Sequence, residues 1–296
     1  MKSFQGIYAP ILTPFKDDAI AFEELKRNLH FWGNSQLSGL VISGSNGESA
    51  YLSPEEKIEL TRFVREHLTE SKKVIAATGA ETTRETIEVS QKALDAGAEA
   101  VMILPPHYFK GAMTDSVLKK HYFSIADAIS GPLIIYNMPR NTGINLSAKL
   151  VCELAQHPNI VGIKDTGGNI VQIAEIVAGT PEHFIVLAGS ASFLLPSLAV
   201  GARGGILAAA NIIPDDCVRI MTNFLAGNWS EALQLQQKIL PLNKALTTGF
   251  GISGLKAAMD LLGYYGGLPR QPLLPLNEEE KQQLKKLLVD YGFKIA

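Results

Sequence analysis

Lys164 is the residue whose type and position point most directly to covalent chemistry. It follows the apolar run Ile160-Val161-Gly162-Ile163, so its amine would emerge at a strand end among apolar neighbours. A lysine in such surroundings gives up its proton more readily than one in water, and the free amine can attack a carbonyl carbon. The plain alternative is a strand-end lysine that extends its stem and keeps its charge in solvent. Tyr136 ends a second apolar run, Leu133-Ile134-Ile135; there a phenol either packs as core or moves protons beside an imine. Gly44-Ser45-Asn46-Gly47 gathers a hydroxyl, an amide and exposed backbone N–H groups in one short loop. Such a loop can hold a carboxylate without a metal. A phosphate loop competes, although the Lys-Ser/Thr of a P-loop does not follow, and so does an ordinary turn. His107 and the other histidines form no pair at metal-ligand spacing, and neither GxSxG nor a GxGxxG after the first strand occurs. Lysine-based chemistry with no metal and no organic cofactor is the expectation.

These residues need elements to position them. Short, continuous Val/Ile/Leu-rich runs occur at Gly6-Leu12, Leu40-Ser43, Val74-Ala77, Ala100-Leu104, Leu133-Tyr136, Ile160-Ile163, Phe184-Ala188 and Gly205-Ala208. Continuity rather than alternation is the mark of strands buried on both faces of a parallel sheet. Amphipathic helical patterns lie between them. Ser53-Pro54-Glu55-Glu56 combines an N-cap, a first-position proline and a capping-box Glu; Thr82 to Glu85 offers a second box and Ala96-Gly97 a stop. Eight strands alternating with eight helices over residues 1–226 predict an α/β fold, a (β/α)8 TIM barrel, with an open doubly wound sheet as the competing arrangement. Residues 227–296 read as a C-terminal helical extension of the same domain, with helices over Trp229 to Ala245, Ile252 to Leu262 and Glu278 to Tyr291. It would cap a face or build an oligomer contact. In such a barrel the strand ends converge on one mouth, which brings together Ser45, Tyr108, Tyr136, Lys164 and Ser190.

Composition narrows the partners. Lys and Arg number 27 against 29 Asp and Glu, a formal charge of −2 with no long block of either sign; no nucleic acid and no membrane surface is expected as a partner, which leaves a small molecule. Phe184 to Ala202 is uncharged for 19 residues, but Gly189-Ser190 and Pro196 break it, so it reads as strand, turn and short buried helix rather than a membrane span. Cys152 and Cys217, far apart, suit a reducing cytoplasmic setting.

The residues resemble a known family. Gly44-Ser45-Asn46-Gly47-Glu48, Tyr108 after Pro105-Pro106, Tyr136-Asn137-Met138-Pro139 with Thr142-Gly143, Gly162-Ile163-Lys164-Asp165 and Leu187-Ala188-Gly189-Ser190 are similar to the motifs of the pyruvate-dependent class I aldolases, which include dihydrodipicolinate synthase and N-acetylneuraminate lyase. The resemblance implies a Schiff base between Lys164 and the keto carbon of pyruvate or another 2-keto acid. It implies that Tyr136 moves protons, that Ser45 links it to a second tyrosine, and that this tyrosine, Tyr108, reaches in from a neighbouring subunit. At least a homodimer follows from that, and the resemblance implies a homo-oligomer that is a dimer of dimers. Asn46 and Gly47 with their loop would hold the keto-acid carboxylate, and Asn141, Thr166, Gly189, Ser190 and Ile206 would line the substrate pocket.

Within the family, synthases carry an Arg where this chain has Asn141, and their loop reads Gly-Thr-Thr-Gly-Glu. Arg140 is one residue off and, on an extended segment, would point elsewhere. Ser45-Asn46, Gln156 to Gly162 and Gly251 to Lys256 resemble the 4-hydroxy-2-oxoglutarate aldolases instead. The expectation is therefore cleavage of a 4-hydroxy-2-keto acid to pyruvate and an aldehyde such as glyoxylate. Condensation of pyruvate with aspartate semialdehyde, and a 2-keto-3-deoxy sugar acid aldolase or dehydratase, are the alternatives; a keto-acid sensor without turnover is the non-enzymatic one.

Overall fold

The computed structural model describes residues 4–295. Eight parallel strands close on themselves: β1 (Gly6–Pro10), β2 (Gly39–Ile42), β3 (Lys73–Ala77), β4 (Ala100–Ile103), β5 (Leu133–Asn137), β6 (Ile160–Asp165), β7 (Ile185–Ala188) and β8 (Gly204–Ile206), with β8 paired back to β1. This is the (β/α)8 barrel expected from the continuous apolar runs. Strand bounds differ at two places that matter: β1 stops at Pro10 instead of Leu12, and β6 runs on through Lys164 and Asp165.

Local signals formed the elements they predict. Ser53 and Glu56 make a full capping box on the helix Pro54–His67. Thr82 accepts the Glu85 N–H at the start of Thr83–Asp95, which is half of the expected box, with no return bond from the Glu85 side chain among the described residues. The stretch from Phe184 to Ala202 folds as β7, a 3-10 turn Ala191–Phe193 and a short helix Leu194–Ala199. Among the described residues no helix is long and apolar enough to cross a membrane. Beyond the barrel, helices Trp229–Lys244, Gly251–Leu261 and Glu278–Tyr291 match the expected tail, the first two joined by a π-helical turn Ala245–Gly249.

Side chains fill the barrel in layers. Tyr8, Val41, Ile75, Met102, Ile134 and Leu187 pack inside it, while Leu133, Ile135, Ile160 and Ile163 face the helices. The pairing of β5 with β6 slips by one residue, from Leu133 opposite Ile160 to Ile134 opposite Gly162. That slip decides where the chemistry goes. Strict alternation would put Lys164 on the same outer face as Ile160. The extra residue, Val161, packs inside, Ile163 returns to the outer face, and Lys164 turns inward opposite Tyr136. On its other side, Gly162 permits the close approach of β6 to β7, since a Cβ there would come within 2.4 Å of the Ile185 side chain.

One buried group gives the fold a pH dependence. His121, on the helix Asp115–Ala128, pairs through Nδ1 with the Thr83 hydroxyl at 2.9 Å, while its Nε2 is buried without a partner among the described residues. Burial pulls its pKa down to about 4, against a weaker opposing pull from Glu81. On acidification the unfolded chain therefore takes up this proton first. The imidazole's contribution is intact above about pH 6.5 and is lost progressively toward pH 4, a change of about 3 kcal/mol. Urea midpoints measured from pH 7 to pH 4 are expected to fall less steeply in His121→Gln than in wild type; parallel curves would remove His121 as the cause.

Candidate active site

Lys164 and Tyr136 are Cα partners across β5 and β6, one layer above the apolar barrel interior. Lys164 is 4% exposed, and its Nζ lies 4.0 Å from the centre of the Tyr136 ring. The Tyr136 hydroxyl is 3.2 Å from Ser45 Oγ and 3.0 Å from Met138 Sδ. The phenol and the Ser45 hydroxyl are hydrogen-bonded to each other, and the amine lies over the face of the same ring, so groups able to move protons flank the amine. Behind them the strand ends are locked. Asn137 Nδ2 donates to Asp165 Oδ2 at 2.7 Å and to Asn145 Oδ1 at 2.8 Å, and Asp165 also accepts the Gly167 N–H. The buried Asp165 carboxylate is thereby satisfied, and the residues on either side of it are held in register.

Ser45, Asn46 and Gly47 form a 3-10 turn after β2. Its internal bonds use the N–H of Gly47 and Glu48, leaving those of Ser45 and Asn46 at its open start. The Asn46 Nδ2 is buried and has no hydrogen-bond partner among the described residues. A buried donor left unmade is costly; Asn46 lines the cavity that Lys164 also lines.

That cavity, about 660 Å³, lies between the barrel mouth and the tail helices. It brings together the predicted Ser45, Asn46, Tyr136, Asn141, Lys164, Thr166, Gly189, Ser190 and Ile206. Thr166 lines the cavity and donates its hydroxyl proton to the Asn137 carbonyl at 2.8 Å, which leaves its oxygen able to accept. Gly189 is required by crowding: a Cβ there would meet Thr166 Cγ2 at 2.3 Å. Ser190 Oγ accepts the Ser192 N–H and the Asn243 side-chain amide, which ties the loop after β7 to the tail.

Two expectations need correction, the place of Gly47 and the extended reading of the segment after β5. Gly47 does not line the cavity; its N–H goes to the Gly44 carbonyl and its own carbonyl to Thr13 Oγ1, so it shapes the turn from behind. Tyr108, expected to act on a neighbouring copy, lies outside its own chain's cavity at 79% exposed, with Phe109 beside it at 72%, because Glu81 accepts the N–H groups of His107 and Tyr108 and holds that loop outward. Pro139–Thr142 is a helical turn rather than an extended segment, started by Pro139 and stopped by Gly143 at φ 67°. Adjacent residues on a helix differ by about 100° rather than 180°, so Arg140 and Asn141 both reach the cavity. The proline and glycine flanking Arg140 were the readable signal for this. Lys244 and Thr248, from the tail, also line the cavity; nothing local in the sequence marks them.

A family model described as the Dihydrodipicolinate synthetase family matches residues 3–290. The chain belongs to that family. Membership makes it a carbon–carbon lyase of the class I aldolase type, as the resemblance implied. A 4-hydroxy-tetrahydrodipicolinate synthase of Caldicellulosiruptor bescii is 37% identical over 296 residues, 100% of this chain and 99% of that protein. One from Archaeoglobus fulgidus is 37% identical over 96% of this chain and 97% of its own length. Among solved structures, a dihydrodipicolinate synthase of Bacillus anthracis superposes with a TM-score of 0.94 at 30% identity, covering 99% of this chain and 100% of that one. A dihydrodipicolinate synthase of Acinetobacter baumannii complexed with pyruvate gives 0.93 at 31% identity, with 99% and 100% covered.

Proposed function

We propose that this family member joins pyruvate to an aldehyde through a Schiff base on Lys164, with aspartate semialdehyde as the aldehyde. The observation that carries the chemistry is the Lys164 amine, buried at the cavity floor against the Tyr136 ring. In its neutral form the amine adds to the keto carbon; loss of water leaves a protonated imine, whose positive nitrogen withdraws electrons from the neighbouring carbons. Release of a C3 proton then gives an enamine, and C3 attacks the aldehyde carbon. Tyr136 takes and returns protons, with Ser45 hydrogen-bonded to it. The buried, unpartnered Asn46 amide, with the N–H groups at the turn's open start, receives the pyruvate carboxylate. No metal or organic cofactor enters these steps.

The aldehyde is assigned on two grounds that together reverse the ranking reached from sequence. The curated relatives at 37% identity are named synthases. The helical turn after β5 carries Arg140 into the cavity, which removes the geometric objection to that assignment. The second reading, cleavage of 4-hydroxy-2-oxoglutarate to pyruvate and glyoxylate, is favoured by Ser45-Asn46 in place of the Thr-Thr of synthases. Turnover of aspartate semialdehyde with pyruvate is expected to exceed cleavage of 4-hydroxy-2-oxoglutarate in parallel assays; the opposite preference would make the second reading the function.

Tyr108 completes the line of hydroxyls from a neighbouring copy in this proposal. The support is its outward, Glu81-fixed placement next to Phe109, which presents two aromatic side chains for burial between subunits. A dimer of dimers would bring each pair into the adjacent mouth. The free Cys152 and Cys217 support a reducing, cytoplasmic setting.

A further inference from the structure

We infer that Lys244, carried to the barrel mouth by the C-terminal helices, is a specificity-determining residue that binds the carboxylate of the aldehyde. The inference rests on the Schiff-base reading above. Three cations line the cavity, Arg140, Lys164 and Lys244, and no Asp or Glu lines it among the described residues. Lys164 is used at the floor, and the Asn46 loop suffices for the pyruvate carboxylate. Arg140 and Lys244 remain, and neither ammonium nor guanidinium has a hydrogen-bond or ion-pair partner among the described residues. Both side chains are exposed at the mouth, where water holds their charge, and two cations beside an otherwise acid-free cavity suit a ligand that brings its own negative group.

A lysine in the last turn of a helix is common, because it offsets the negative end of the helix dipole. Lys244 differs in how its backbone is held. Gln236 and Asn243, seven residues apart on one face of Trp229–Lys244, are both buried. Gln236 donates to the Ala191 carbonyl at 2.7 Å and accepts the Leu195 N–H at 2.9 Å. Asn243 donates to Ser192 Oγ at 2.8 Å and Ser190 Oγ at 3.2 Å. These amides register the tail helix on the loop after β7, the loop that supplies Gly189 and Ser190 to the pocket. Lys244 is the next residue after the second anchor, so its stem starts from a fixed point at the cavity rim. Asn243 and Gln236 are positioning residues for it.

The test is steady-state kinetics of Lys244→Ala and Lys244→Arg in the full chain, with pyruvate and whichever carboxylate-bearing aldehyde the wild type uses, aspartate semialdehyde or glyoxylate. In Lys244→Ala the KM of the aldehyde is expected to rise roughly 10- to 100-fold, as for loss of one charged hydrogen bond, while that of pyruvate stays within about twofold, as expected for a group with no contact to pyruvate. Lys244→Arg is expected to recover most of the difference. An unchanged aldehyde KM, or an equal rise for both substrates, overturns the inference. Borohydride trapping of pyruvate on the wild type is scored separately: absence of an adduct there refutes the Schiff-base reading itself.

Discussion

Lys164→Ala is expected to eliminate the adduct that borohydride traps from pyruvate and wild-type protein, and to lower turnover by on the order of 10⁴- to 10⁶-fold, the scale seen when a covalent nucleophile is removed. Of the lysines lining the cavity, only Lys164 is buried, and it sits opposite Tyr136 with Ser45 within reach of the phenol. Neither Arg140 nor Lys244 can replace it, since a guanidinium does not form imines readily and Lys244 starts from the rim. Stability should not follow activity. A lysine buried among apolar strand residues gives up hydration on folding, so its removal is expected to leave the unfolding midpoint unchanged or higher. Intact mass after reduction checks the first outcome and thermal unfolding the second. A trapped adduct in the variant, or turnover above about 1% of wild type, would remove Lys164 from the chemistry.

Lys256→Met is expected to have the largest effect on folding, about 3–5 kcal/mol, the range for breaking a buried ion pair from one side. Lys256, 1% exposed, directs its ammonium to the carbonyls of Thr13, Gly266 and Leu268 and stands 2.9 Å from Glu48 Oε1 as an ion pair. Burial pulls its pKa down and Glu48 opposes the fall. Glu48 closes the Ser45-Asn46-Gly47 turn in a left-handed conformation, and its other oxygen accepts the Arg270 N–H at 2.8 Å. One carboxylate therefore joins the substrate loop to the tail. Without the ammonium, Glu48 is left charged and buried, and three carbonyls lose their donor. The double variant Glu48→Gln/Lys256→Met is expected to unfold at higher urea than Lys256→Met alone, because the stranded charge is gone. A single variant with a wild-type midpoint would show that the pair contributes nothing to stability.

The two lysines show where sequence reading succeeds and stops. Lys164 was visible because its signal is local: a charged residue ending a continuous apolar run has few roles. Lys256 sits in an ordinary amphipathic stretch, and its partners Thr13 and Glu48 are more than 200 residues away in the chain. No short window holds that information. Arg140 lies between these cases. Pro139 and Gly143 announce a helical turn, and reading the segment as extended inverted its expected direction.

By itself the sequence determined the order of the eight barrel strands, though not the small antiparallel pair Phe15–Lys16 and Ala19–Ile20, the burial of the barrel strands on both faces, the caps at Ser53 and Thr82 and the residue types available at the mouth. Each of these follows from apolar periodicity or from backbone chemistry within a few residues. Only the tertiary structure decided which way those residues point. The one-residue slip between β5 and β6 turns Lys164 inward, Glu81 turns Tyr108 outward, and Gln236 and Asn243 bring Lys244 over the mouth. Side-chain direction on a strand depends on pairing register, and the contacts of a tail helix depend on what it docks against. Both are set by bonds between segments far apart in the chain, which is why a sequence of near-neutral net charge encloses a cavity lined by cations alone among its charged groups.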